Sequence, residues 1–283
     1  MTVYAATGAT GALGHLIVEG LLESGVRAAD VVAVVRAPSG AADLAARGVQ
    51  VREGDYDRPG TLAEAFAGVD VLMFVSGSEV GARVEQHRAV VAAARGVRRI
   101  VYTSIVRATT SELVLAPEHK ATEELILASG LPYTLLRNSW YLENYTRQVP
   151  QYIAGGEIVG AADDGRISAA ARADYAAAAV AVLVGEGHDN RVYELGGASF
   201  TLAELAAVVT EVTGTAVTYR DVPVAQLVAE LEAAGLPAQT AGFVAALDEG
   251  IARGDLEVSE ADLVGLIGRP PTALAEAVSA AKS

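Results

Sequence analysis

Three glycines, Gly8, Gly11 and Gly14, stand three apart in the run Thr7-Gly8-Ala9-Thr10-Gly11-Ala12-Leu13-Gly14. A short apolar segment, Val3-Tyr4-Ala5-Ala6, precedes them, and Leu13, Leu16, Ile17 and Leu21 follow at helical spacing. The pattern predicts a strand, a tight turn and a helix. Glycine has a physical use at each position. Gly8 can take a backbone conformation closed to residues with a side chain. Gly11 leaves room for a pyrophosphate to reach the first amides of the helix, whose free N–H groups and dipole favour an anion. Gly14 lets the helix lie close on the strand. The spacing is a variant of the G-x-G-x-x-G fingerprint for dinucleotides. A packing turn is the alternative, since the chain has 29 glycines; the position between a first strand and an amphipathic helix favours the cofactor.

Arg36 follows the β-branched run Val31-Val32-Ala33-Val34-Val35, 22 residues after Gly14. A site for NADH usually places Asp or Glu there, on the ribose hydroxyls. A guanidinium suits a 2′-phosphate instead, because its planar fork bonds two oxygens at once. NADPH is the expected cofactor, and a solvent-facing arginine is the alternative. Asp55 closes the third strand and would bond the adenine amino group or make an Asx turn. Ser76, Gly77 and Ser78 close the fourth, where small residues let the chain pass the cofactor ribose; ordinary loop chemistry reads equally well.

Thr103 and Ser104 end the fifth strand, where short-chain dehydrogenases carry a catalytic serine paired with Tyr-x-x-x-Lys. Lys120 is the only lysine before Lys282, and Ala116 stands four residues ahead of it. The usual proton donor is missing, which counts against alcohol–ketone interconversion by that mechanism. His119 and Lys120 open a helix after Pro117-Glu118, and either would face the nicotinamide as a catalytic group; a helix-start histidine bonding backbone is the alternative. No G-x-S-x-G elbow or readable triad is present.

These groups need a scaffold. Strands are expected at residues 3–6, 31–35, 49–51, 69–75, 99–104 and 133–137, and helices at 41–46, 61–66, 79–95 and 117–129. Such alternation predicts a parallel sheet with helices on both faces and right-handed crossovers. The fold class is α/β, a Rossmann-type doubly wound parallel sheet with a small C-terminal α/β lobe. Ligands in such sheets bind at the carboxyl ends of the strands, near the switch in strand order. After Trp140 the rhythm changes. Turns are read at Gly155-Gly156-Glu157 and at residues 162–165, a helix at 172–184, a strand at 192–195, and a helix after Thr201 with Glu204 completing a capping box. A short strand at 217–219 precedes further helices. The division is residues 1–150 as the dinucleotide-binding domain and 151–283 as a substrate lobe interleaved with it.

Composition narrows the function. Charged residues are 20% and hydrophobic ones 52%, as in a globular chain. The absence of cysteine excludes disulfides and thiolate chemistry, and the four histidines lack metal-ligand spacing, so no metal site is expected. A net charge of −14 argues against a nucleic-acid partner. The apolar run at residues 176–184 is too short to span a bilayer. No signal peptide is read at the N-terminus, so a cytoplasmic protein without membrane partners is expected. A homodimer is left open.

The glycine turn, the Val35-Arg36 strand end and the missing tyrosine resemble NmrA-like proteins, the atypical short-chain dehydrogenases. Four further stretches are similar to their type 2 NADPH:quinone oxidoreductase branch: Ser78-Glu79-Val80-Gly81-Ala82-Arg83, Glu118-His119-Lys120-Ala121-Thr122-Glu123, Tyr133-Thr134-Leu135-Leu136-Arg137-Asn138-Ser139-Trp140-Tyr141-Leu142-Glu143-Asn144-Tyr145, and Arg172-Ala173-Asp174-Tyr175. The resemblance covers nearly the whole chain. It implies hydride transfer from NADPH to a quinone-like small molecule. It also implies that Thr7, Gly8, Ala9, Thr10, Gly11 and Ala12 hold the pyrophosphate, with Leu13 and Gly14 completing the turn. Arg36 would take the 2′-phosphate, and Ser76 to Ser78 would line the ribose and nicotinamide. Asn138, Trp140, Tyr141 and Asn144 would border nicotinamide and substrate, with Tyr141 a catalytic candidate, and Arg172 would reach over from the second lobe. Trp140, Tyr141 and Tyr145 are flat aromatics suited to stacking on a planar ring, or to core packing. A quinone delocalises the charge it accepts and needs little help with protonation, which fits the missing Tyr–Lys pair. Two other readings stay open: an NADP-sensing regulator without turnover, and a reductase or epimerase of a biosynthetic intermediate.

Overall fold

All five residues of Val31–Val35 are buried, as a strand covered on both faces requires. In this computed structural model, which describes residues 1–281, the strand lies inside a seven-stranded parallel sheet. Lys282 and Ser283, the end of the expected second lobe, lie outside the described residues.

The first half alternates strictly. It runs β1 (Tyr4–Thr7), α1 (Ala12–Glu23), β2 (Val31–Val35), α2 (Ala42–Ala46), β3 (Gln50–Glu53), α3 (Pro59–Ala65), β4 (Val71–Phe74), α4 (Arg83–Ala93), β5 (Arg99–Ile105), α5 (Ala116–Ala128) and β6 (Tyr133–Asn138). The second half contains α6 (Glu143–Thr146), α7 (Val149–Gly155), β7 (Glu157–Gly160), α8 (Arg172–Val184), β8 (Arg191–Leu195), α9 (Leu202–Thr213) and β9 (Thr218–Asp221), then α10 (Val224–Ala233), α11 (Ala238–Ala252), α12 (Ala261–Ile267) and α13 (Leu274–Ala281). The main sheet is ordered β3-β2-β1-β4-β5-β6-β8, so the strand order reverses between β1 and β4. That is the switch point at which a doubly wound sheet opens a crevice.

One face of the sheet packs on α1 and α8 through Ile17, Val18, Leu21, Val180 and Leu183. The other packs on α3, α4 and α5 through Leu62, Val90, Val91 and Ile126. A separate core, with Ile158, Ile167, Leu205, Val209 and Val278, sits under the second half. The Thr201–Glu204 capping box is present at α9.

Three of the boundary shifts have clear local causes. The residues expected to turn at 155–157 do turn at Gly156 (φ +69°), but Glu157 begins β7, which pairs in parallel with β9. Strand β4 stops before Val75 because the Val75 N–H donates to the Thr7 hydroxyl rather than to the ladder. Helix α4 starts at Arg83, not at 79, because Gly81 is left-handed (φ +92°) and its N–H donates to Glu118. Among the described residues no helix is long and apolar enough to cross a membrane, and no group of His, Asp or Glu is arranged to hold a metal ion.

Candidate functional site

A cleft of about 530 Å³ opens over the carboxyl ends of β1 to β4, within the usual size range of small-molecule sites. Its floor is the glycine turn: Gly8, Thr10, Gly11, Ala12, Leu13 and Gly14 all line it. Gly8 has φ +60°, and the Gly11 N–H donates back to the Gly8 carbonyl at 2.8 Å, which closes the turn. A Cβ on Gly14 would lie 2.3 Å from the Gly8 oxygen, so helix and strand meet at a distance only glycine permits. Helix α1 has no side chain capping its N-terminus and no acid in its first turn. Its leading amides are left to an outside acceptor, and the positive end of the helix dipole faces the cleft. These features fit the pyrophosphate of a dinucleotide.

Arg36 lines the same cleft from the tip of β2, with its side chain 76% exposed. Asp55 lines it from the end of β3. Burial pushes the Asp55 carboxyl up, but bonds from Arg58 and the Asp57 amide, with the charges of Arg58 and Arg36, outweigh this and hold it below the usual carboxylate range.

Ser76, Gly77 and Ser78 form the opposite wall. Their path is tied down. The Ser76 N–H donates to the Thr103 hydroxyl at 2.8 Å, and the Gly77 N–H donates to Nε2 of His87 at 2.9 Å. Since that nitrogen accepts, the proton of His87 sits on Nδ1, which donates to Thr122 Oγ1 at 2.8 Å, and Thr122 donates to the Glu118 carbonyl. Burial, with Arg83 nearby, pulls His87 down to about 3. The Arg83–Glu118 pair (2.7 Å) braces the loop further, with Arg83 Nε donating to the Gly77 carbonyl.

Tyr141 and Arg172 close the end of the cleft. The Arg172 guanidinium lies 4.4 Å over the Tyr141 ring, which also meets Tyr175 edge-on at 5.4 Å. Glu143 and Asn144 hold the guanidinium: Nη2 donates to Asn144 Oδ1 at 3.2 Å, and Nη1 stands 3.2 Å from Glu143 Oε2, at ion-pair distance but out of line for a hydrogen bond. Burial raises the Tyr141 phenol, partly offset by the Asn138 side chain and the Arg172 charge.

Several expected residues lie elsewhere. Thr7 and Ala9 are fully buried beneath the turn; Thr7 spends its hydroxyl on Val75, Tyr56 and Met73. Asn138 is buried behind Tyr141, and Asn144 acts through Arg172. Trp140 packs on the second core instead of bordering the cleft, and Tyr145 stacks edge-on with Phe200 in that same core. His119 points into the protein, 2.8 Å from the Tyr102 hydroxyl, and burial holds it down at about 3. Lys120, one position along α5, faces solvent away from the cleft. Ser104 donates to the buried Glu123 at 2.6 Å. Gly54, Tyr56, Glu79 and Gln86 also line the cleft, with no expectation for them from sequence. Gly54 and Tyr56 flank Asp55, and strand-end position was the signal that would have found them. Gln86 lies inside α4, where nothing in the sequence marks it.

The residue pattern of the NAD(P)H-binding family matches residues 8–185. The chain is 48% identical to quinone oxidoreductase 2 of Escherichia coli (strain K12), with 97% of each chain covered. It is 30% identical to an NmrA-like family domain-containing oxidoreductase of Aspergillus flavus, over 97% of this chain and 93% of that one. The crystal structure of an NADPH-dependent quinone oxidoreductase from Escherichia coli complexed with NADPH superposes with a TM-score of 0.96 at 46% identity, covering 99% of this chain and 100% of that one. With the glycine turn, the reversal of strand order and these likenesses together, the chain belongs to the NAD(P)H-binding family, among its NmrA-like members.

Proposed function

We propose that the protein is an NADPH-dependent oxidoreductase that reduces a quinone or a similar conjugated carbonyl. One observation carries the cofactor assignment: the uncapped N-terminus of α1, the Gly8–Gly14 close approach and the Arg36 guanidinium all face a single cleft. The name and the NADPH complex of the E. coli relative support the same reading and supply the substrate class.

Bound NADPH supplies a hydride for the substrate. The protein's own part is to bind and orient. The amides at the start of α1 receive the pyrophosphate, and Arg36 receives the 2′-phosphate. The wall at Ser76, Gly77 and Ser78 limits where the ribose and nicotinamide can lie. Tyr141 and Arg172 border the reacting end. Because burial raises the Tyr141 phenol, it stays protonated at neutral pH and is the hydrogen-bond donor offered to a substrate oxygen. A quinone spreads the charge it gains, so one such donor suffices where an alcohol dehydrogenase needs a Tyr–Lys pair. His119 and Lys120 take no part. Residues 1–150 supply the dinucleotide half, and the segment after 150 supplies Arg172 and the cover over the substrate.

The test is steady-state turnover. NADPH is mixed with a small panel of quinones and its absorbance followed, with NADH in parallel. Consumption on quinones with NADPH preferred is the expected result. Tight NADPH binding with no consumption would make the protein a cofactor sensor, and turnover on enones or imines alone would make it a reductase of another substrate class.

A further inference from the structure

Resting on that NADPH reading, we propose that Glu79 is a built-in competitor for Arg36 and sets how strongly the protein distinguishes NADPH from NADH. The Arg36 Nη1 atom stands 3.8 Å from Glu79 Oε1, and both side chains line the cleft from opposite walls, β2 and the loop after β4. The pair therefore reaches across the mouth where the 2′-phosphate would enter. Glu79 is 52% exposed on its side chain, yet its carboxylate is anchored. Nε2 of the buried Gln86 donates to Glu79 Oε2 at 3.0 Å and to Asp57 Oδ1 at 3.0 Å. The acid is thus held at the site by a fixed amide.

The other carboxylates of the cleft are hydrogen-bonded elsewhere, although Asp55 also feels the Arg36 charge. Asp55 is bonded by Arg58 at 3.0 Å and by the Asp57 amide at 3.1 Å, and Asp57 is bonded by Gln86. Glu79 is the acid found in an ion pair with Arg36 among the described residues. A 2′-phosphate carries close to two negative charges near pH 7. It must draw the guanidinium from Glu79 and then sit beside a fixed like charge. NADH bears no 2′-phosphate, so its binding neither breaks this pair nor meets that repulsion. The acid therefore weakens NADPH selectively, and the wild-type preference is a compromise between Arg36 and Glu79.

The experiment measures the Kd of NADPH and of NADH, by titration, for wild type, Glu79→Gln, Arg36→Ala and the double variant. Gln keeps an oxygen that accepts from Gln86, so the loop position is retained. The expected result is a three- to tenfold tighter NADPH in Glu79→Gln, NADH within twofold of wild type, and no gain from Glu79→Gln in the Arg36→Ala background. Unchanged or weaker NADPH binding, an equal gain for NADH, or a gain that survives loss of Arg36 overturns the proposal. Failure of the NADPH reading itself looks different: wild type would bind both cofactors equally and Arg36→Ala would change neither. Repeating the titrations at high salt checks the electrostatic origin, since the advantage of Glu79→Gln should shrink as the charges are screened.

Discussion

The backbone N–H of Gly77 donates to Nε2 of His87, a neutral imidazole buried 10 residues away in sequence. One wall of the cofactor cleft thus hangs on the protonation state of a histidine that never touches the cleft. A second proton on His87 would turn its accepting nitrogen into a donor facing a donor, and the contact would be lost.

Acid should therefore destabilise the fold before most carboxylates titrate. His87 and His119 both sit at about 3 when folded, against about 6.5 for free histidine. Below about pH 6.5 the unfolded chain takes up protons that the folded chain refuses, so stability falls as pH falls, by up to about 1.4 kcal/mol per pH unit for each histidine. Asp248 opposes this. Burial raises it to about 6, above the unfolded value, so between about pH 6 and 4 the folded chain takes up a proton first and gains stability. Urea unfolding at pH 7.5, 6 and 5 should show a progressive loss. His87→Gln should flatten the slope and Asp248→Asn should steepen it. A stability independent of pH across this window would contradict the buried neutral assignment.

The Gly8–Gly14 approach predicts a sharp contrast between two glycine-to-alanine changes. At Gly14 the new carbon would meet the Gly8 carbonyl oxygen at 2.3 Å, and that neighbour is backbone, so β1 or α1 must shift. NADPH affinity should fall at least tenfold, with a lower Tm. Gly60, in the first turn of α3, has open space around it and an ordinary φ, so Gly60→Ala should leave affinity unchanged and Tm equal or slightly higher. Equal behaviour of the two variants would mean that the turn is not the cofactor's seat.

Much of this could be read beforehand, because parallel-sheet strands and the glycine turn are local signals. The run at 31–35 and the spacing of Gly8, Gly11 and Gly14 depend only on neighbours in sequence. Arg36 at the tip of β2 was legible for the same reason. What was hidden is long-range. Whether His119 faces the cleft depends on Tyr102 across the α5–β5 packing, and whether Trp140 stacks on a ligand depends on a core drawn from residues 105–278. Glu79 and Gln86 lie on either side of the left-handed Gly81, in a loop braced by Arg83; the glycine marks a turn but not which side chains the turn brings to the cleft. Strand β7 was missed because its partner β9 lies about 60 residues further on.

Glu123 and Arg137 form a largely enclosed ion pair. Arg137 bonds both Glu123 oxygens, at 2.9 and 2.7 Å, while Ser104 donates to Glu123 and Glu194 bonds the far side of the guanidinium. Removing Glu123 takes away two of the guanidinium's carboxylate bonds and leaves Arg137 with Glu194 alone. Glu123→Ala should cost about 3–5 kcal/mol, whereas the double change Glu123→Leu with Arg137→Met should recover much of that. Urea midpoints of the wild type and the two variants decide it: a Glu123→Ala protein as stable as wild type would show that the pair is dispensable.

In the proposed mechanism Tyr141, and not His119, is the donor to the substrate oxygen, and their positions separate them. The Tyr141 ring lines the cleft under Arg172, whereas the His119 imidazole is hydrogen-bonded to Tyr102 inside the protein. Tyr141→Phe keeps the ring and its stacked guanidinium but removes the donor. With NADPH and a quinone, kcat should fall about tenfold, below the 10²–10⁴ usual for general acids, because the delocalised product charge asks for less. NADPH Kd should stay within twofold, since the ring still fills its place. His119→Gln should do the reverse: kcat unchanged within about twofold and Tm reduced, as a buried hydrogen bond is disturbed at a cost of about 1–3 kcal/mol. A large loss of kcat in His119→Gln with an unchanged Tm would move the chemistry to the α5 side of the sheet and remove Tyr141 from it.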